Sequence, residues 1–143
     1  MDGKLRQLEP IEYTAAELAW AATIRESFGD DAPDQAQSRE VEDYAVLTGY
    51  GSTDVGDVSR AVPTVSVRAA TWVPGTAAHS WQAVAASGHS YGTKGTQHAA
   101  KAMMLAAVEL YTNPQLREEA KAEFIAARGE DYVYESLLGD RAT

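Results

Sequence analysis

The sequence has no cysteine. That absence excludes disulfides, thiolate metal sites and a cysteine nucleophile. Basic residues are also few: 12 Lys and Arg stand against 21 Asp and Glu, for a net charge of −9. Such a balance argues against a nucleic-acid backbone or an anionic membrane as the main partner. No window approaches the roughly 18 uninterrupted apolar residues of a membrane span. The opening MDGKLRQLEPIEY lacks the apolar core of a signal peptide. A soluble, cytoplasmic protein is the expectation. Histidine is scarce, with His79, His89 and His98 the whole supply. There is no H-E-x-x-H and no histidine pair at helical i, i+4 spacing. GSTDVG lacks the G-K-[ST] ending of a phosphate loop. Ser52, Ser59 and Ser80 have no G-x-S-x-G context, so a serine-hydrolase elbow is not supported.

What remains is ample for a core. The chain has 143 residues, 45% of them hydrophobic, which suits one modest globular domain and not a disordered chain. Thr14 and Glu17 form a T-x-x-E capping box. It opens a predicted helix over 15–28, in which Trp20, Ile24 and Phe28 recur at i, i+4 and i+8, and Gly29 is the natural stop. Residues 29–50 read as an exposed polar loop, with Val41–Leu47 as a short helix or strand. The pattern over 96–111 predicts a helix rich in alanine, suited to close packing against a sheet or another helix. Asn113 as N-cap and Pro114 at the first helical position predict another helix over 114–128, ended by Gly129. The tail, with Tyr132, Val133, Tyr134, Leu137 and Leu138, is apolar enough to dock.

The stretch Gly51–Trp81 organises the rest. It opens on a polar loop with Asp54 and Asp57, placed as helix N-terminal acids or as ligands, bases or substrate-orienting groups. Pro63 then starts a β-like run, Thr64 to Trp72, in which Val65, Val67 and Ala69 share one face. The turn at Pro74-Gly75 presents His79 beside Ser80. Residues Trp81–Ser87 alternate and are predicted as a second strand. His79 reads as an exposed loop histidine or a ligand, His89 as an exposed turn residue or a catalytic one, and His98 as structural before a ligand. Tyr91 and Lys94 stand as surface residues or as contacts to an anionic substrate.

Several motifs in this order resemble a known family. They are Gly51-Ser52-Thr53-Asp54-Val55-Gly56-Asp57-Val58-Ser59, Val62-Pro63-Thr64, Pro74-Gly75-Thr76, His79-Ser80-Trp81-Gln82, Gly92-Thr93-Lys94-Gly95 and Ala99-Ala100-Lys101. Together they are similar to the C-terminal part of M20-type metallo-amidohydrolases, in the aminobenzoyl-glutamate hydrolase branch. The resemblance covers about residues 14–138. It implies a dinuclear zinc-type hydrolase that cleaves the amide bond of an N-acyl or N-aroyl amino acid. It maps a metal-binding histidine onto His79, and a loop that shapes the site onto Ser52, Thr53 and Asp54. The family's other ligands and its glutamate base lie in an N-terminal half with no counterpart here, and most of the lid has none either. Family members commonly carry a histidine at the position of Thr93.

The expected fold is therefore α/β: one domain over 1–143, with a small sheet of Thr64–Trp72 and Trp81–Ser87 packed by the three helices. It would be the C-terminal portion of a split, zinc-peptidase-like catalytic domain. No catalytic base is assigned. The implied cofactor is a divalent metal, zinc. The implied partners are an N-acyl amino acid and either the missing half or a homo-oligomer partner. The alternative is a non-catalytic remnant or interaction module that keeps the fold.

Overall fold

The computed structural model describes residues 1–29, 32–43 and 53–135. Its helices are α1 (Asp2–Leu5), α2 (Ala15–Arg25), α3 (Val55–Ala61), α4 (Trp81–Ser87), α5 (Ser90–Thr112) and α6 (Pro114–Arg128), with a 3-10 turn at Gln35–Arg39. Among the described residues there is no strand. The expected α/β fold with a small sheet is thus overturned, and the chain is helical.

Each half of the expected sheet fails for its own reason. Residues 63–71 form no helix, as Pro63 and the β-branched run require, yet they have no regular structure either. Alternation makes a segment fit for a ladder, but a ladder needs a neighbouring strand. Trp81–Ser87 is a helix outright. Ser80 caps it, its hydroxyl accepting from the Ala83 N–H at 3.2 Å. The buried pair Ala83 and Ala86 falls at i, i+3, and alanine is the strongest helix former. Over seven residues, alternation and helical periodicity are too short to separate.

The chain divides into two compact units. The first holds residues 1–44 and 67–106. Its core is Ala21 and Ile24 of α2, Val73 from the connecting segment and Tyr91 of α5, with Tyr13, Trp20, Phe28 and Ala85 packed against it. Aromatic stacking supplies much of the contact: Tyr13 lies flat on Tyr91 with ring centroids 4.1 Å apart. The capping box of α2 is present as expected, with Thr14 and Glu17 each satisfying the other's backbone N–H. The helix ends at Arg25, short of Phe28, because the Ser27 and Phe28 N–H groups bond only three residues back, to Ile24 and Arg25. Gly29 then takes φ 79°.

Helix α5 begins at Ser90, well before its predicted start at 96. Gly92 and Gly95 lie before that predicted start. In the structure they are buried in the helix, where a Cβ on Gly95 would overlap the Ala70 carbonyl oxygen and one on Gly92 that of Ala86. The glycines let the first turns of α5 lie directly on the backbone of 70–71 and on the end of α4. The helix propensity they forfeit, about 1 kcal/mol each, is the condition for that approach.

The second unit holds residues 45–66 and 107–143. Here α6 follows its sequence signals closely: Asn113 accepts from the Leu116 N–H at 3.2 Å, Pro114 is the first helical residue, and Gly129 follows with φ 91°. Arg117 donates to the Leu110 and Tyr111 carbonyls at the end of α5. Arg128 lies over the Phe124 ring, 4.6 Å from its centroid. In the tail Tyr132 is half-buried, with the Arg128 guanidinium 5.8 Å from its ring centroid, while Val133 is exposed. Leu137, Leu138 and residues 44–47 of the expected Val41–Leu47 element lie outside the described residues.

Candidate functional site

His79 sits at the tip of a turn that the local sequence builds step by step. Val73 is buried and anchors one end. The Thr76 hydroxyl and N–H both donate to the Val73 carbonyl, at 2.7 and 3.1 Å. Gly75 turns with φ 96°, its Cα pressed toward Pro33 and Phe28 where a Cβ would not fit. Ser80 donates to the Ala77 carbonyl at 2.7 Å while capping α4. Gln82 then ties α4 to the end of α2 through the Ser27 hydroxyl, at 3.1 Å. Between these fixed points His79 takes φ 61° and is exposed. Among the described residues it is the non-glycine residue with positive φ. A side chain in the left-handed region costs roughly 1–2 kcal/mol, and such outliers mark places where the surroundings dictate the conformation. A shallow cleft lined by Ala69–Thr76 precedes the turn.

The shaping loop is divided. Ser52 lies outside the described residues. Thr53 and Asp54 open α3: Asp54 makes no side-chain capping bond, and the Thr53 hydroxyl accepts from the Val55 N–H at 3.3 Å. Asp57 lies in the first turn, as the helix dipole favours. Thr53 and Asp54 belong to the second unit and His79 to the first.

The described donor set does not fit a metal centre by itself. Among the described residues no group of three His, Asp or Glu side chains converges. A single histidine leaves a tetrahedral zinc short of at least two protein ligands.

The strongest electrostatic feature lies elsewhere, in residues read as a cap and a surface lysine. Glu17 is 5% exposed, and its carboxylate accepts from Lys94 Nζ at 2.6 Å. Lys94 also donates to the Glu12 carbonyl at 2.8 Å. The Lys94 ammonium first, then the Ser90 hydroxyl and the Thr14 N–H, hold the Glu17 carboxyl down at about 2. Lys94 is thus occupied by an internal anion. Beside it, burial pushes the Tyr13 phenol above its ordinary value. His89 lies in the bend between α4 and α5 as expected but is not exposed: it is half-buried, stacked on Trp20 at 4.0 Å, and its Nδ1 accepts from the Tyr91 N–H at 3.1 Å. His98 is structural in its setting, half-buried on α5, with burial and then the Lys101 charge holding its imidazole below the ordinary range. No spacing signal pairs Glu17 with Lys94, which are 77 residues apart.

No family model matches the chain, and no solved structure matches it. A curated protein does: over 88 residues the chain is 35% identical to the B subunit of p-aminobenzoyl-glutamate hydrolase from Escherichia coli strain K12. The chain is a distant relative of that hydrolase. The match takes in 60% of the chain but only 18% of the relative, so the chain spans under a fifth of that protein's length. No helix among the described residues is long and apolar enough to cross a membrane.

Proposed function

We propose that this chain contributes the C-terminal portion of an M20-type, metal-dependent amidohydrolase acting on N-acyl or N-aroyl amino acids such as aminobenzoyl-glutamate. The observation that carries the reading is the 88-residue similarity to a hydrolase, together with a histidine held outward in a constrained turn. In this reading His79 is one ligand of a divalent metal, zinc. Ser52, Thr53 and Asp54 shape the rim of the site. The remaining ligands, the general base and the lid come from the rest of the enzyme. What this chain supplies is position. The Val73 anchor, the Gly75 turn and the Ser80 cap fix the His79 backbone before any ligand arrives, so little ordering remains for binding to accomplish. Because no group of three His, Asp or Glu side chains converges among the described residues, no catalytic step is assigned to this chain alone.

The test is metal titration and an amidase assay on the isolated chain, with p-aminobenzoyl-glutamate as substrate and zinc supplied. The expected result is no hydrolysis and at most one weakly held zinc per chain, lost in His79→Ala. Two tightly held metals per chain, or turnover by the chain alone, would overturn the incomplete-site reading.

The second reading is a non-catalytic interaction module on the same scaffold. It is favoured by Trp81 and Val84, which stand exposed one helical turn apart on α4, directly after His79. Zinc binding unchanged in His79→Ala would select it.

A further inference from the structure

Three hydroxyl groups meet inside the first unit, contributed by segments far apart in sequence. Tyr91, on the first turn of α5, is fully buried. Tyr13, just before α2, lies flat on it, with the ring planes 6° apart and the centroids at 4.1 Å. Ser38, in the 3-10 turn Gln35–Arg39, is 7% exposed. All three belong to the same compact unit. The Tyr91 and Ser38 hydroxyls lie near enough to influence the Tyr13 phenol, yet no hydrogen bond closes on either phenol oxygen.

The stack accounts for the failure. Rings held face to face at 4.1 Å keep the hydroxyls they carry from closing to the ~2.7 Å of an O–H···O bond. The Ser38 proton is already spent, donated to the Gln35 carbonyl at 2.9 Å, so Ser38 offers only lone pairs. Two phenol protons therefore stand without an acceptor, and a buried polar atom in that state is costly. Both phenol oxygens are inaccessible from outside. No group from another chain, or from further along a longer chain, can reach them; the partner must be enclosed with them. The carboxylate that bears on Tyr13, Glu17, is engaged by Lys94 and the Thr14 N–H, so the three hydroxyls present no free charge to a cation. What fits is a small neutral molecule that accepts two hydrogen bonds and donates one.

We propose that Tyr13, Tyr91 and Ser38 form the binding site of one internal water, which accepts from both phenols and donates to the Ser38 oxygen. About three hydrogen bonds is the usual number for a buried water, and every hydroxyl proton of the trio then has an acceptor. The water fastens a polar turn to an aromatic core. Ser38 is the buried residue of that turn, and through the water it is tied to the approach to α2 and to the start of α5 at once.

A crystal structure of the full chain tests the site directly: one ordered water is expected within about 3.2 Å of all three oxygens. Magnetic relaxation dispersion of the solvent counts long-lived internal waters in solution. The double variant Tyr13→Phe, Tyr91→Phe keeps both rings and should hold one such water fewer than the wild type. The sign of a single variant carries the energetics. If the Tyr91 hydroxyl is bonded to water, Tyr91→Phe lowers the urea midpoint, by about 0.5 M; if it has no partner, removing it raises the midpoint. Were the double variant to misfold, the crystal structure and the dispersion of the wild type would still decide, since both report on the native chain. A site with the phenols bonded to each other or to Ser38 and no water between them overturns the proposal. So does a wild type with no long-lived internal water, a count unchanged in a folded double variant, or a midpoint that Tyr91→Phe leaves level or raises.

Discussion

His79 and Glu17 are each held in a state that their surroundings impose. His79 has φ 61°, a conformation that a Cβ disfavours and glycine adopts freely. If the conformation is set by the turn, His79→Gly should be more stable than His79→Ala by about 1 kcal/mol, measured by urea denaturation of the two variants. Equal stabilities would mean that the turn relaxes and the constraint is not local. For Glu17 the folded carboxyl lies at about 2 against an ordinary 4.5. A depressed carboxyl stabilises the fold above its unfolded value and loses that contribution as pH falls through the folded one. Thermal stability should therefore drop between about pH 4.5 and pH 2. At neutral pH, Lys94→Met strands the buried carboxylate. We expect a loss of about 2 kcal/mol, less than the ~3–5 kcal/mol of a wholly buried pair, because water still reaches Lys94. The gap between wild type and Lys94→Met should close toward pH 2; a constant gap would assign the effect to packing.

Among the elements, α2 and α6 were readable because their start signals are local: Thr14 with Glu17 in one, Asn113 with Pro114 in the other. Asn113→Ala should cost about 1 kcal/mol of stability through the lost cap, checked by thermal melting. Helix α5 is the opposite case. By helix propensity alone, Gly95→Ala stabilises by about 1 kcal/mol. In the structure the new Cβ overlaps the Ala70 carbonyl, and the overpacking should destabilise by about 2–3 kcal/mol. The sign of the measured change decides whether the close approach of α5 to residues 70–71 governs that position. The early start of α5 and the helical state of Trp81–Ser87 escaped the sequence for related reasons. Two glycines imitate a break unless the opposing backbone is known, and a seven-residue alanine-rich run carries both periodicities.

Across the whole molecule, burial is uneven. Every described buried residue, from Ile11 to Ala102, falls within the first unit; α3 and α6 bury none. Helices without buried side chains open at low free energy. In hydrogen exchange read by mass spectrometry, α3 and α6 amides should exchange well before those of α2 and the first half of α5. Equal protection would show that α3 and α6 are held by contacts other than a buried core.

By itself, the sequence determined what depends on neighbours along the chain: the caps of α2 and α6, the turn that carries His79, the net charge, and the absence of thiol chemistry. The likeness to a hydrolase was legible for the same reason, as short motifs in a fixed order. Only the tertiary structure decided that Thr64–Trp72 finds no described strand to pair with, that Gly92 and Gly95 are contact points inside a helix, and that Lys94 reaches across 77 residues to Glu17. Pairing, close approach and burial are relations between segments distant in sequence, and local periodicity carries no record of them.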